Sequence, residues 1–240
     1  MDSRARFLAD FEPEDLAPEG PGWQQRKSAQ TRAGILEAAI DCLALHGYAR
    51  TTTQMIAETA GVSRGAMLHH YPTKSDLIRS IIAYSFYKRS LMMVEGVKRI
   101  SESSRVEEFS GIKILWDSFS TRDFKAYLEL NIASRTDAEV REVFIPQARR
   151  FGQAWREEGG ELFPEWADFP ERLSLANDLV EAIMEGLALN VEVWEGPDRI
   201  DRMIEFLKQV VAKIFTGEFD SAPGNGQASP KRRATARKPA

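Results

Sequence analysis

Large apolar side chains recur along this chain at intervals of three and four, with polar residues between them. That period places the apolar groups on one stripe of a helix, whereas a half-buried strand would alternate them. Ile35, Leu36, Ala39 and Leu43 outline a helix over 29–46, and Gly47 is suited to ending it. Ile56, Ala57 and Ala60 mark a second helix and Met67 a third. Leu77, Ile78, Ile81, Ile82, Phe86, Leu91, Val94 and Val97 carry a fourth. Its length of about twenty-five residues would span nearly 40 Å at about 1.5 Å per residue.

A polar run, RISESSRVEE, follows as a connector over 99–108. Beyond it Phe109, Ile112, Leu115, Trp116 and Phe119 predict one helix, and Phe124, Tyr127, Leu128 and Ile132 the next. Thr136 and Glu139 have capping-box spacing and open a helix bearing Val140, Val143, Phe144, Phe151 and Trp155. Pro146 falls inside it and is expected to kink or split it. Gly159, Gly160, Pro164 and Pro170 predict a loop, and 173–194 another long helix. Gly196 and Pro197 break the chain before an antiparallel neighbour carrying Ile200, Met203, Ile204, Leu207, Val211, Ile214 and Phe215. The two ends lack this pattern. Residues 1–27 read as a poorly ordered acidic leader and 217–240 as a disordered basic tail.

Within this all-α pattern, TTTQMIAETAGVSRGAMLHHYPTK over 51–74 stands out. The threonines cap one short helix, Gly61 supports a tight turn, and Ser63 caps a second helix. Two short helices across a glycine turn form a helix-turn-helix. In the second helix, Gly65 and Ala66 let the backbone approach a surface closely, and Arg64 and His69 project hydrogen-bonding groups. Such a helix suits the major groove of DNA, while the preceding helix crosses the phosphates. His69 and His70 are adjacent, so they point about 100° apart on a helix, and no third ligand is evident. DNA contact is the better reading of the pair than a metal site.

From Thr31 to about Leu77 the chain resembles the TetR family of bacterial transcriptional regulators: ILEAAIDCLALHGY, the threonine run, IAETAGVSRGAM and HHYPTK occur in the family's order. The resemblance implies a three-helix DNA-binding domain over 28–74 and a larger helical effector-binding and dimerisation domain over 75–216. It implies base reading by Arg64, Gly65, Ala66 and His69, and phosphate contacts from Thr51, Thr53, Gln54, Ser63, His70 and Lys74. At position 68 the family usually has a tyrosine that touches a phosphate; Leu68 cannot donate that bond, which leaves an apolar contact to a thymine methyl.

The resemblance also implies a pocket for a small lipophilic effector among the aromatic helices, with Trp116, Phe119, Tyr127, Asn131, Phe144, Phe151, Trp155 and Met184 as candidates. The same aromatics serve equally as plain core. Leu179, Ala182, Ile183, Gly186, Leu187, Met203, Leu207 and Val211 are the candidate homodimer interface; small Ala182 and Gly186 permit close approach of another helix.

The net charge of −4 would argue against a nucleic-acid partner, but its distribution reverses that reading. Over 23–90 there are nine bases against four acids, a balance of +5, and the acidic excess lies in 91–217. A basic end on an acidic body suits contact with double-stranded DNA through that end alone. Arg26 and Lys27 form either an arm to a neighbouring phosphate or a solvated flank, and the basic tail adds DNA affinity or is merely solvated. The start has no apolar run of signal-peptide length and no stretch approaches membrane-spanning length, so a cytoplasmic protein is expected. Single Cys42 excludes an internal disulfide. No cofactor is expected, and neither a nucleophile elbow, a phosphate loop nor metal-ligand spacing supports an enzyme. The expected function is a homodimeric repressor that binds a palindromic operator and is released by a small effector. The competing reading is an architectural or partner-recruiting DNA-binding protein without an effector.

Overall fold

The computed structural model of the chain describes residues 3–16, 20, 22–99, 109, 111–194 and 198–220. All regular structure among them is helical: α1 (Ser3–Phe11), α2 (Trp23–His46), α3 (Thr53–Thr59), α4 (Arg64–His70), α5 (Lys74–Lys98), α6 (Gly111–Phe119), α7 (Arg122–Ala133), α8 (Ala138–Leu162), α9 (Pro170–Asn190) and α10 (Asp198–Thr216). Short 3-10 turns lie at Glu14–Leu16, Tyr48–Arg50 and Pro164–Trp166.

The helix starts follow local hydrogen-bond chemistry. Thr52, Ser63 and Thr121 each accept a backbone N–H through the side-chain oxygen, which satisfies a donor the helix leaves unpaired. Thr73 and Asp76 form the full reciprocal capping box at the start of α5. For α8 the cap falls one residue later than the spacing predicts: Asp137 Oδ1 accepts from Val140 N at 3.1 Å. Between α2 and the next turn, Gly47 stands at φ 76°, ψ 164°.

Three expectations change. The leader is not without structure: Ser3–Phe11 is a helix, with Phe7 and Phe11 buried against α5 and α8. Two phenylalanines one turn apart bury enough apolar surface to hold a short helix that could not persist alone. α2 begins at Trp23, inside the stretch assigned to the leader. α8 passes through Pro146 undivided and continues through the paired glycines to Leu162. Tertiary packing on α5 offsets the bond that a proline removes. The connector beyond Arg99 and the basic tail lie outside the described residues, apart from 217–220, where Arg172 pairs with Asp220.

α2, α3 and α4 form the N-terminal module, and α5 leads from it into the body, packing on α1, α6, α7 and α8. α9 and α10 pair with each other on the far side. A single contiguous core runs through both parts, from Ile35 and Leu36 to Phe124, Phe144 and Met184. The two parts are also joined by polar contacts between α2 and α7. Arg122 bonds Glu37 and Asp41, and Lys88 reaches Glu37 at 3.1 Å and Asp123 at 3.3 Å. Burial alone would raise the Glu37 carboxyl, but hydrogen bonds from Tyr84 and Lys88 outweigh it and hold it below the ordinary value. The Tyr48 hydroxyl donates to Asp137 at 3.0 Å, and its backbone N–H donates to Glu129 at 3.1 Å.

Candidate nucleic-acid interface and interior cavity

The α4 helix turns one face outward. Arg64, Gly65, Leu68 and His69 are exposed on it, Ala66 and His70 are half-buried at its edges, and Met67 points into the core. Gly61, at φ 66°, provides the left-handed turn that brings α4 across α3. A Cβ on Gly65 would meet only Ser63 Oγ, at 4.0 Å. Nothing among the described residues requires a glycine there. Leu68 is 47% exposed, so an apolar side chain stands on the same outward face as Arg64.

Around that face, Thr53, Gln54, Ser63 and Lys74 are exposed and Thr51 is half-buried. Thr51 Oγ1 donates to Gly47 O at 2.8 Å, and Gln54 Nε2 donates to Glu58 at 2.9 Å. Thr51 therefore has a structural task already, while Lys74 stands at the first turn of α5 with its charge in solvent. Burial lowers the His70 imidazole below the ordinary value, and nearby His69 and Arg32 act in the same direction. The rings of His69 and His70 lie 5.4 Å apart. Among the described residues no group of three or more metal-ligating side chains comes together.

The positive balance of this end is partly spent elsewhere. Lys88 pairs with Glu37 and Asp123, and Arg89 is buried in the body. The exposed bases that remain are Arg26, Lys27, Arg50, Arg64, Lys74 and Arg79. Lys27 lies 5.0 Å from the ring of exposed Trp23.

A partly open pocket of about 160 Å³ lies in the body between α5, α6, α8 and α9. Of the expected pocket residues, Phe119, Phe151 and Trp155 line it. Trp116, Tyr127, Phe144 and Met184 are instead buried core, and half-buried Asn131 lies away from the cavity, its carbonyl accepting from Ser134. The wall also uses Arg89, Met93, Asn177 and Glu181, which aromatic counting misses, and Trp166, which lies in the stretch read as a loop. The sequence does hold a signal for two of them. Arg89 falls on the apolar stripe Ile82–Phe86–Arg89–Met93–Val97, and Asn177 on Leu173–Asn177–Val180–Met184, where helical spacing places a polar residue at a buried position.

Arg89 is 6% exposed, with its guanidinium 4.3 Å from the Tyr127 ring centre and 5.2 Å from that of Phe151. It hydrogen-bonds Glu181, and Glu185 approaches Nη1 at 3.9 Å, too far for a hydrogen bond. Burial opposes its charge, but Tyr127, Glu181 and Glu185 together raise its pKa above the ordinary value, so it stays protonated. Burial pushes the Tyr127 phenol up to about 12 and raises the Glu185 carboxyl.

On α9 and α10 the candidate interface residues divide. Ala182 and Met203 are exposed, Leu179, Ile183 and Gly186 are half-buried, but Leu187, Leu207 and Val211 face their own core and are not free to meet a second chain. The outward face carries Leu175, Leu189 and Phe206 instead, at 56, 53 and 66% exposure. Among the described residues no helix is long and apolar enough to cross a membrane.

An outward helix on a helix-turn-helix, fixed to a larger all-helical body, defines a helix-turn-helix transcriptional regulator. The sequence profile of the bacterial regulatory proteins of the tetR family matches residues 35–81. An HTH-type transcriptional regulator of Mycobacterium tuberculosis, itself uncharacterized, is 30% identical over 181 residues, covering 72% of this chain and 91% of the relative. The HTH-type transcriptional repressor AcnR of Corynebacterium diphtheriae is 26% identical over 187 residues, or 75% of this chain and 90% of AcnR. The protein belongs to the TetR family and is a regulator rather than an enzyme. Solved structures share the fold. One from Streptomyces coelicolor, described as a transcriptional regulator, has a TM-score of 0.57 at 23% identity, covering 78% of this chain and 99% of its own. One from Saccharomonospora viridis, in complex with choline, has a TM-score of 0.55 at 19% identity, covering 76% and 96%.

Proposed function

We propose that the protein is a homodimeric repressor whose DNA-binding domain, over 23–74, is controlled by a small molecule held in the body, over 75–216. One observation carries the reading: α5 begins beside the DNA-reading helix at Lys74 and lines the cavity at Arg89, Met92, Met93, Gly96 and Val97. A helix rises about 1.5 Å per residue, so a rigid rod of about 27 Å joins Lys74 to Met92. A ligand that moves the cavity end of α5 thereby moves the end that meets DNA.

Arg64, Gly65, Ala66 and His69 read base edges, and Thr53, Gln54, Ser63, His70 and Lys74 hold phosphates, with Thr51 fixing the turn that presents them. α9 and α10 pair with their copies through Leu175, Leu179, Ala182, Gly186, Leu189, Met203 and Phe206. The repressor relatives named AcnR and the choline-bound protein of the same fold support control of this kind. Reversing a 1:99 distribution between DNA-competent and DNA-incompetent dimers takes about 5.5 kcal/mol of differential ligand affinity.

Selection of bound DNA from a random pool, with light scattering of the purified protein, tests the reading. The expected outcome is a mass of two chains and a palindrome with half-sites about 34 Å apart, or a multiple of that. A single chain bound to an asymmetric site would overturn it.

A further inference from the structure

The cavity has a polarity of its own. Among the described residues, Arg89 Nη1 and Asn177 Nδ2 are buried atoms without a hydrogen-bond partner, and both residues line it. Both atoms are donors, and neither can accept. A buried donor left unpaired is unfavourable, so what completes this site is an acceptor.

The charges narrow its nature. Arg89 already has Glu181 in hydrogen-bond contact and Glu185 at 3.9 Å, so its positive charge faces two carboxylates. An anionic ligand would add a third negative group beside them. A cation would find the carboxylates of Glu165 and Glu181 in the wall but, having no acceptor, would leave both donors unpaired. A neutral acceptor, such as a carbonyl oxygen, satisfies the donors without disturbing this balance.

The rest of the wall sets the body of the ligand. Phe119, Phe151, Trp155, Trp166 and Met93 offer aromatic faces and a soft thioether. An apolar cavity of about 150 Å³ is known to accept benzene, and this one is about 160 Å³. One ring with a short substituent fits that space.

We infer that the effector is a compact, uncharged molecule with an apolar body and a carbonyl-type acceptor, received by Arg89 and Asn177. This rests on the reading of the cavity as an effector site. It assigns that site a polar end and a charge preference.

Four single-ring probes of similar size test it on the full-length protein by isothermal titration: acetophenone, ethylbenzene, benzoate and phenyltrimethylammonium. Acetophenone is expected to bind about tenfold more tightly than ethylbenzene, the worth of one good neutral hydrogen bond, and more tightly than either ion. In Asn177→Leu and in the near-isosteric Asn177→Asp that preference should shrink to about threefold or less, with ethylbenzene still bound. Either ion binding most tightly, or a tenfold ketone preference surviving both variants, overturns the inference. If all four bind alike, the cavity is an effector site and the inference about its polarity fails. If none binds, both readings fail.

Discussion

The ring of Phe7 meets the ring of Phe151 edge to face at a centroid separation of 5.6 Å, and Phe151 is itself a wall of the interior cavity. Phe7 also meets Trp155, a second wall residue, at 5.6 Å, and Phe11 meets Phe151 at 5.2 Å. Arg150 Nη2 donates to Asp10 O at 2.7 Å beside them. The N-terminal helix is therefore the outer backing of the cavity.

Phe7 is fully buried, so Phe7→Ala should cost about 3 to 5 kcal/mol, the range for deleting a large core aromatic. Trp23→Ala removes a residue that is 69% exposed and should change stability by no more than about 0.5 kcal/mol. Urea unfolding of both variants checks this. Equal effects would mean that α1 does not pack as described.

Gly65 separates a structural from a recognition role. With only Ser63 Oγ near its missing Cβ, at 4.0 Å, Gly65→Ala should leave the fold as stable or stabilise it by up to about 1 kcal/mol, while weakening operator binding by crowding the approach to DNA. Arg64→Ala should weaken operator binding by about 1 to 3 kcal/mol and random-DNA binding far less, whereas Lys74→Ala should weaken both and flatten the salt dependence. Operator and random duplexes titrated at two salt concentrations decide the matter. Equal losses on both DNAs for Arg64→Ala would remove it from base reading.

His70 gives DNA binding a pH dependence. Its imidazole is held below the ordinary value of 6.5 in the free protein, chiefly by burial, so it is neutral at pH 7. A phosphate placed against it would favour the charged form, and binding would then take up a proton. Operator affinity should rise as pH falls from 7.5 toward 6, and His70→Gln should flatten that slope. The same lowered value works against the fold: the unfolded chain protonates first, so stability declines as pH drops below about 6.5, until the folded-state group is protonated as well. Affinity and thermal stability should thus move in opposite directions.

Gly47 should resist substitution. Its φ of 76° and ψ of 164° belong to a region essentially restricted to glycine, and an added Cβ would lie 3.0 Å from Glu129 Oε2. Gly47→Ala should cost about 1 to 3 kcal/mol by thermal or urea unfolding. Because Glu129 accepts from Tyr48 N, hydrogen exchange of the Tyr48 amide should accelerate in the same variant.

By itself the sequence determined the helical class, the order of the helices after the first, and the helix-turn-helix with its caps. These depend on interactions within a few residues: Thr73 with Asp76, Ser63 with Ala66, and the period that turns Ile35, Leu36 and Leu43 to one side. Only the tertiary structure decided what each stripe meets. Phe7 and Phe11 are too few to announce a helix until α5 and α8 bury them. Leu187, Leu207 and Val211 share a period with residues that face outward, and only packing sorts one from the other. Helical spacing puts Arg89 on an apolar stripe, but only the fold brings Glu181, from 92 positions away, to meet its charge inside the body. A local pattern fixes which residues share a face; burial, and with it the charge and polarity of the cavity, depends on partners brought from elsewhere in the chain.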